Sequence, residues 1–239
     1  MRSFFWLVAF NLLIVSGFSQ TCVIAKVSYQ NNDTCIVIGS DTKFGNYTYN
    51  DKTKTVDTTY THGHKIFNKG QYTYVTIGYG AGIQRKLADS ILNLHLSVDR
   101  TLNLYLNQFE KVIDADLAYL KKRSPVLYNK MVPENTSIVS STMFALFDHG
   151  RPYLAHLLFV KNPFGVTTMW RGGDLSAGGE LQAIQNKLND KRSWSAGSIT
   201  AIKMMLKAEA TDRPDKVGLP FEFIIIRKNK VEQFTDTHY

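Results

Sequence analysis

Two periodicities share this chain, and the points where one gives way to the other constrain its fold more than any composition figure. Residues 23–29 and 35–40 are runs rich in β-branched side chains around the polar turn Gln30-Asn31-Asn32-Asp33, a hairpin signal. Pairing about that turn sets Asp41 opposite Thr21. Residues 43–61 are polar, with six Thr and three Tyr, and read as an elaborated loop or edge hairpin. A second hairpin, 65–67 with 72–77, turns on Asn68-Lys69-Gly70-Gln71. After Gly78-Tyr79-Gly80-Ala81-Gly82 the period changes: Ile83, Leu87, Ile91 and Leu94 recur at helical spacing. Asp99 is the expected cap of a further helix carrying Leu102, Leu106, Phe109, Val112, Ile113, Ala115, Leu117 and Leu120, which Ser124-Pro125 ends. Strands return over 137–147, 153–160 and 166–170, helices over about 180–188 and 198–210, and the chain closes with a hairpin of 221–227 and 231–234. Four strands, two helices, several strands, two helices and two strands make an α+β chain. The expected architecture is two antiparallel sheets with helix pairs outside, a four-layer αββα sandwich.

Residues 1–20 read as a secretory signal. Arg2 is the only early charge, an apolar stretch from Phe4 to Val15 is broken by Asn11, and Ser16, Gly17 and Ser19 follow. The stretch is too short to span a bilayer. The remaining 21–239 show no repeat, low-complexity segment or linker and read as one domain. An oxidising, extracellular or secretory-lumen location is the expectation. Three N-x-S/T acceptors, Asn32, Asn46 and Asn135, agree with it, each in a stretch read as turn or loop. Two cysteines do not make a disulfide scaffold, and the first hairpin's register puts Cys22 and Cys35 out of line. The net charge is +8, but no Lys/Arg run exceeds three and the longest, Lys121-Lys122-Arg123, reads as a helix end. A solvated basic surface is expected, with no nucleic-acid partner and no membrane partner once the signal is removed.

Removing that signal leaves a Thr or Cys side chain and a free α-amino group on one residue or on neighbours. Those are the parts of an N-terminal nucleophile, in which a weak hydroxyl or thiol is activated by its own amine. Cleavage before Thr21 gives a threonine nucleophile. Cleavage after Thr21, which puts Ser19 and Thr21 at the small-residue positions, gives Cys22, intrinsically the better nucleophile. Cleavage after Ser19 leaves Gln20 blocking the amine. His62 and His64 form a His-Gly-His pair without the further ligands a metal needs, and no metal or other cofactor is expected.

In order along the chain, Thr21-Cys22-Val23-Ile24-Ala25, Val37-Ile38-Gly39-Ser40-Asp41-Thr42-Lys43, His64-Lys65-Ile66-Phe67 and Thr76-Ile77-Gly78-Tyr79-Gly80-Ala81 resemble landmarks of the proteasome β-subunit family and of the bacterial proteasome-like peptidase, within the N-terminal nucleophile hydrolases. Residues 144–156, with Asp148-x-Gly150-x-Pro152-x-Leu154 inside, Asn162-Pro163-Phe164-Gly165 and Ser176-Ala177-Gly178-Gly179 continue the series over essentially all of 21–239. The resemblance implies a hydrolase of peptide or other amide bonds with Thr21 as nucleophile and Cys22 as its rival. Asp41 and Lys65 tune the site, the Lys ammonium lowering the pKa of hydroxyl and amine and the carboxylate holding it. Gly78 or Gly80 supplies the oxyanion-hole N–H, and Asp215 belongs to the same constellation. It also implies assembly into a homo-oligomeric ring. Two hydroxyls of the family pattern are replaced, by Ala177 and by Gly218, and Gln20 stands before Thr21 where self-cleavage uses Gly. The competing expectation is therefore a catalytically silent secreted protein that keeps the fold for binding or assembly.

Overall fold

The computed structural model describes residues 12–18, 21–30, 33–50, 52–132 and 138–238. Seven strands come first: β1 (Leu12–Phe18), β2 (Cys22–Gln30), β3 (Asp33–Asp41), β4 (Lys43–Asn50), β5 (Thr55–His62), β6 (Ile66–Lys69) and β7 (Tyr72–Gly78). Helices α1 (Ala81–Leu92), α2 (Val98–Arg123) and α3 (Pro125–Met131) follow, then β8 (Ile138–Asp148), β9 (Arg151–Asn162), β10 (Gly165–Gly172) and β11 (Leu175–Gly179). The short α4 (Gln185–Asn189), a 3₁₀ turn at Lys191–Trp194 and α5 (Ser198–Asp212) lead to β12 (Phe221–Arg227) and β13 (Lys230–Asp236). The result is an α+β protein with two five-stranded antiparallel sheets, ordered β11-β2-β3-β12-β13 and β10-β9-β8-β7-β6, and five helices. A third, three-stranded sheet β1-β4-β5 contains the expected edge hairpin, with the segment read as a leader as its other outer strand.

Burial sorts the apolar side chains into three clusters. In one, α1, α2 and α3 cover β7, β8 and β9, with Phe109 edge-on to Phe159 at 4.6 Å and Tyr105 edge-on to Phe144 at 5.2 Å. In another, Ile202, Met205 and Leu206 of α5 cover Ile24, Val37 and Phe223. The remaining cluster joins the two five-stranded sheets, bringing Val23, Ala25 and Ile38 together with Val75, Ile77 and Met143. The central strands β2, β3, β7, β8, β9 and β12 thus alternate their side chains between two apolar environments, which is why these runs are apolar nearly throughout.

Four expectations are corrected. The first hairpin pairs Val23 with Ser40 and continues to Gln30 with Asp33, so Asp41 comes beside Cys22, not Thr21. Helix α1 buries the expected Ile91 and packs Leu87 against the core, but it exposes Ile83 and buries Gln84 and Ala88, because the sheet side of that helix is partly polar; Leu94 lies beyond its end, exposed. Helix α2 starts from Ser97, with Asp99 inside its first turn, Val112 faces out, and α3 follows at once. The helix expected over 180–188 shrinks to α4, since Gly179 pairs with Cys22 as the end of a strand and Glu209 accepts the N–H groups of Gln182 (3.2 Å) and Ala183 (2.9 Å) in the turn that follows. Lys121, Lys122 and Arg123 do close a helix, where they complement its dipole, and Cys22 and Cys35 are both free, with Cys35 opposite Ser28.

Candidate functional site

Thr21 and Cys22 sit at the entrance of β2, and the pleat sends their side chains to different layers. Cys22 and Ile24 belong to the cluster under α5, whereas Val23 and Ala25 belong to the cluster between the sheets. Thr21 shares the parity of Val23 and lines a cavity of about 450 Å³ together with Gly78, His156 and Ala177. Its carbonyl accepts the N–H of Glu180 at 2.7 Å. Gly179, at φ +87°, makes that approach: a Cβ there would lie 1.5 Å from the Thr21 oxygen. Thr21 is fully buried in the chain that carries residues 1–20.

Beside it lies an ion pair with no exposure on either side. Asp41, the last residue of β3, accepts Lys65 Nζ at 3.0 Å and the Cys22 N–H at 2.9 Å on one oxygen, and the Lys43 N–H at 3.1 Å on the other. Lys65 directly precedes β6, so the pair ties the two large sheets together, and its ammonium also stands 4.9 Å from the Phe44 ring. Burial pushes Asp41 up and Lys65 down, each toward its neutral form, while their mutual attraction works against both shifts. Burial, reinforced by the Asp41 carboxylate, also pushes the Cys22 thiol well up, so it stays protonated and a poor nucleophile in this environment. A second carboxylate completes the cluster: Glu222, 2% exposed, accepts the Lys65 N–H at 3.1 Å and meets His64 Nδ1. The sequence reading missed Glu222, whose only signal was one acid inside an apolar strand. His62 meets Thr42 at 3.2 Å, and among the described residues no group of His, Cys, Asp or Glu is arranged to hold a metal.

The turn from β7 into α1 is held by a buried polar network that the sequence reading did not anticipate. Gln84 Nε2 lies 3.2 Å from the Ile77 carbonyl, 3.1 Å from the Tyr79 carbonyl and 2.6 Å from Ser140 Oγ. Thr142 donates to Gln84 Oε1 at 2.6 Å, and Ser140 donates to the Tyr79 carbonyl at 2.8 Å. In a trans peptide the N–H opposes the C=O. Holding the carbonyls of residues 77 and 79 toward Gln84 and Ser140 therefore turns the N–H groups of Gly78 and Gly80 the other way. Both glycines have positive φ, +83° and +70°. Gly78 lines the cavity with Thr21 and could not carry a Cβ, which would fall 2.7 Å from the Val139 oxygen; Gly80 caps α1.

The remaining expected residues fall elsewhere. Asp215 is 62% exposed and pairs with Arg213 at 3.8 Å; its neighbour Lys216 lines the cavity. Ala177 does line the cavity, and Gly218 packs near the Lys43 stem. Asn46, expected in a loop, lies in β4 between β1 and β5, half-buried, and donates to Thr61 Oγ1 at 3.1 Å. Asn32 and Asn135 lie outside the described residues. No helix among the described residues is long and apolar enough to cross a membrane. No protein-family model matches the chain, and a search of curated proteins finds no relative.

Proposed function

We propose that the chain is a secreted, proteasome-like N-terminal nucleophile hydrolase of peptide or other amide bonds, built as a four-layer αββα sandwich. The layered arrangement is supported by the three apolar clusters, one joining the sheets and one under each set of helices. The catalytic reading rests on one observation above all: Thr21 opens onto a cavity while the next residue's N–H is bound to a carboxylate that carries a buried lysine. In the mature protein Thr21 Oγ attacks the carbonyl carbon of the amide, and its freed α-amine takes the hydroxyl proton and delivers it to the leaving nitrogen. Asp41 and Lys65 set the local charge. The Gly78 N–H, turned by Gln84, is the oxyanion donor this geometry favours, with Gly80 next to it. Cys22 is the weaker nucleophile candidate because its thiol is packed under α5. A ring of identical subunits is the assembly this reading implies.

Intact mass and N-terminal sequencing of the protein secreted from eukaryotic cells test it. A chain starting at Thr21 that is stoichiometrically labelled by an electrophilic amide-hydrolase inhibitor is the expected result. A stable start at Gln20 or earlier buries the amine in a peptide bond and refutes the mechanism. It would leave the binding or assembly role that the missing hydroxyls at Ala177 and Gly218 favour.

A further inference from the structure

The cavity that begins at Thr21 does not end in apolar residues. His156, 5% exposed, also lines it, on β9 directly opposite Arg171 of β10. Ser176 Oγ lies 2.8 Å from His156 Nδ1, and Nε2 is buried with no hydrogen-bond partner among the described residues. A second space of about 120 Å³ reaches the same His156, Arg171 and Ala177. A buried ring nitrogen left unpaired costs free energy unless something fills its place, and here both adjoining spaces are large enough for a guest.

The surrounding charges say what kind. Arg171 and Lys130 line the large cavity, and neither forms an ion pair with a described residue. Among the described residues Glu180 is the one acid that lines it, and Arg213 at 3.3 Å and Lys216 at 2.8 Å already neutralise it. In the tautomer in which the Ser176 hydroxyl donates to Nδ1, Nε2 carries the ring proton and is a donor, and this is the tautomer the proposed subsite uses. A planar guanidinium beside a neutral N–H donor suits a carboxylate, which accepts several hydrogen bonds in a plane. We infer that this cavity is an acidic-side-chain subsite: the substrate presents an aspartyl or glutamyl carboxylate to Arg171 and His156, next to the amide bond at Thr21. The inference rests on the hydrolase reading for what happens at Thr21, but the recognition itself does not require turnover.

Binding of two N-acetylated peptide amides that differ only in Glu against Gln, measured by calorimetry on the secreted protein, tests it. The acidic peptide should bind at least about tenfold more tightly, the worth of a charge-assisted contact. Arg171→Ala, at an exposed position, should bring that ratio to about one, and Arg171→Lys should restore part of it. His156→Gln should reduce it. Equal binding of the two peptides, or a preference unchanged in Arg171→Ala, overturns the subsite. A preference for Glu without any hydrolysis keeps the subsite and refutes the hydrolase. Equal hydrolysis of both peptides does the reverse.

Discussion

Acidification from neutrality toward pH 4 protonates His156 in the unfolded chain well before it protonates the folded one. Burial, with a smaller contribution from the Arg171 guanidinium, lowers this imidazole from its ordinary 6.5 to about 4. Between those values the unfolded state binds a proton that the native state does not, so native stability falls as pH falls. The contribution is fully present above 6.5 and exhausted near 4. At about 1.4 kcal/mol per unit the loss is roughly 3 kcal/mol, a large share of the 5–15 kcal/mol that holds a typical domain together. Urea unfolding followed by tryptophan fluorescence, repeated across this pH range, measures it. Asp41 and Glu209, both pushed up by burial, contribute with the opposite sign, so the wild-type curve alone does not isolate the ring. The difference from His156→Gln does. That variant should lack the extra slope while keeping whatever the carboxylates contribute. Parallel stability curves for the two proteins would falsify the argument, since they would mean that the folded ring titrates as freely as the unfolded one.

Lys65→Met or Asp41→Asn alone should cost about 3–5 kcal/mol in urea unfolding, because each strands the other partner in a site without exposure, while Asp41→Asn with Lys65→Met should cost clearly less than the sum. Gln84→Leu should release the peptides that it orients and lower kcat by about a hundredfold with little change in KM; an equal rise in KM would show general damage to the cavity instead. Gly179→Ala should not give folded protein, as its Cβ would collide with the Thr21 carbonyl, whereas Gly70→Ala, at φ +59° with nothing within 4 Å, should lower stability by only about 1 kcal/mol. Far-UV circular dichroism and soluble yield separate that pair.

The hairpins were legible because polar turns punctuate apolar runs, and the long helix because its period is sustained through three turns and more. What the sequence hid was any contact between distant strands. Lys65 and Asp41 are 24 residues apart and meet across two sheets; Glu222 reaches the Lys65 backbone from 157 residues away. Local spacing carries no trace of either encounter; the first hairpin's register brought Asp41 to the entrance of β2, but the resemblance alone brought Lys65 forward. Gln84 looked like an ordinary polar position of an amphipathic helix, yet the network at Ser140 and Thr142 draws it inward. Helix α1 therefore turns Gln84 inward beside Ile91 and leaves Ile83 exposed. His156 and Arg171 become neighbours through the β9–β10 register, which the turn Asn162-Pro163-Phe164-Gly165 sets, but nothing in the sequence marked the pair as part of a site.

Under the proposed mechanism, one residue of parity decides between Thr21 and Cys22. Cleavage-site rules favour a Cys22 start, and a thiol is the stronger nucleophile. But a strand's side chains alternate, and Val23 and Ala25 fix which face of β2 looks between the sheets. Cys22 falls on the other face, under Ile202 and Leu206 of α5, with its thiol held protonated by burial. A mature chain beginning there would carry its amine near Asp41 and its sulfur in the helix layer, on the opposite side of the strand from the cavity lined by Gly78. Only Thr21 has a side chain on the cavity face together with an α-amino group that cleavage can free. The same parity makes Thr21→Cys the informative swap: it places a thiol on the cavity face, and it should be labelled by a thiol-directed electrophile at a rate that native Cys22 does not approach. Equal labelling of the two sulfurs would show that the entrance of β2 does not hold the register that assigns Thr21 its role.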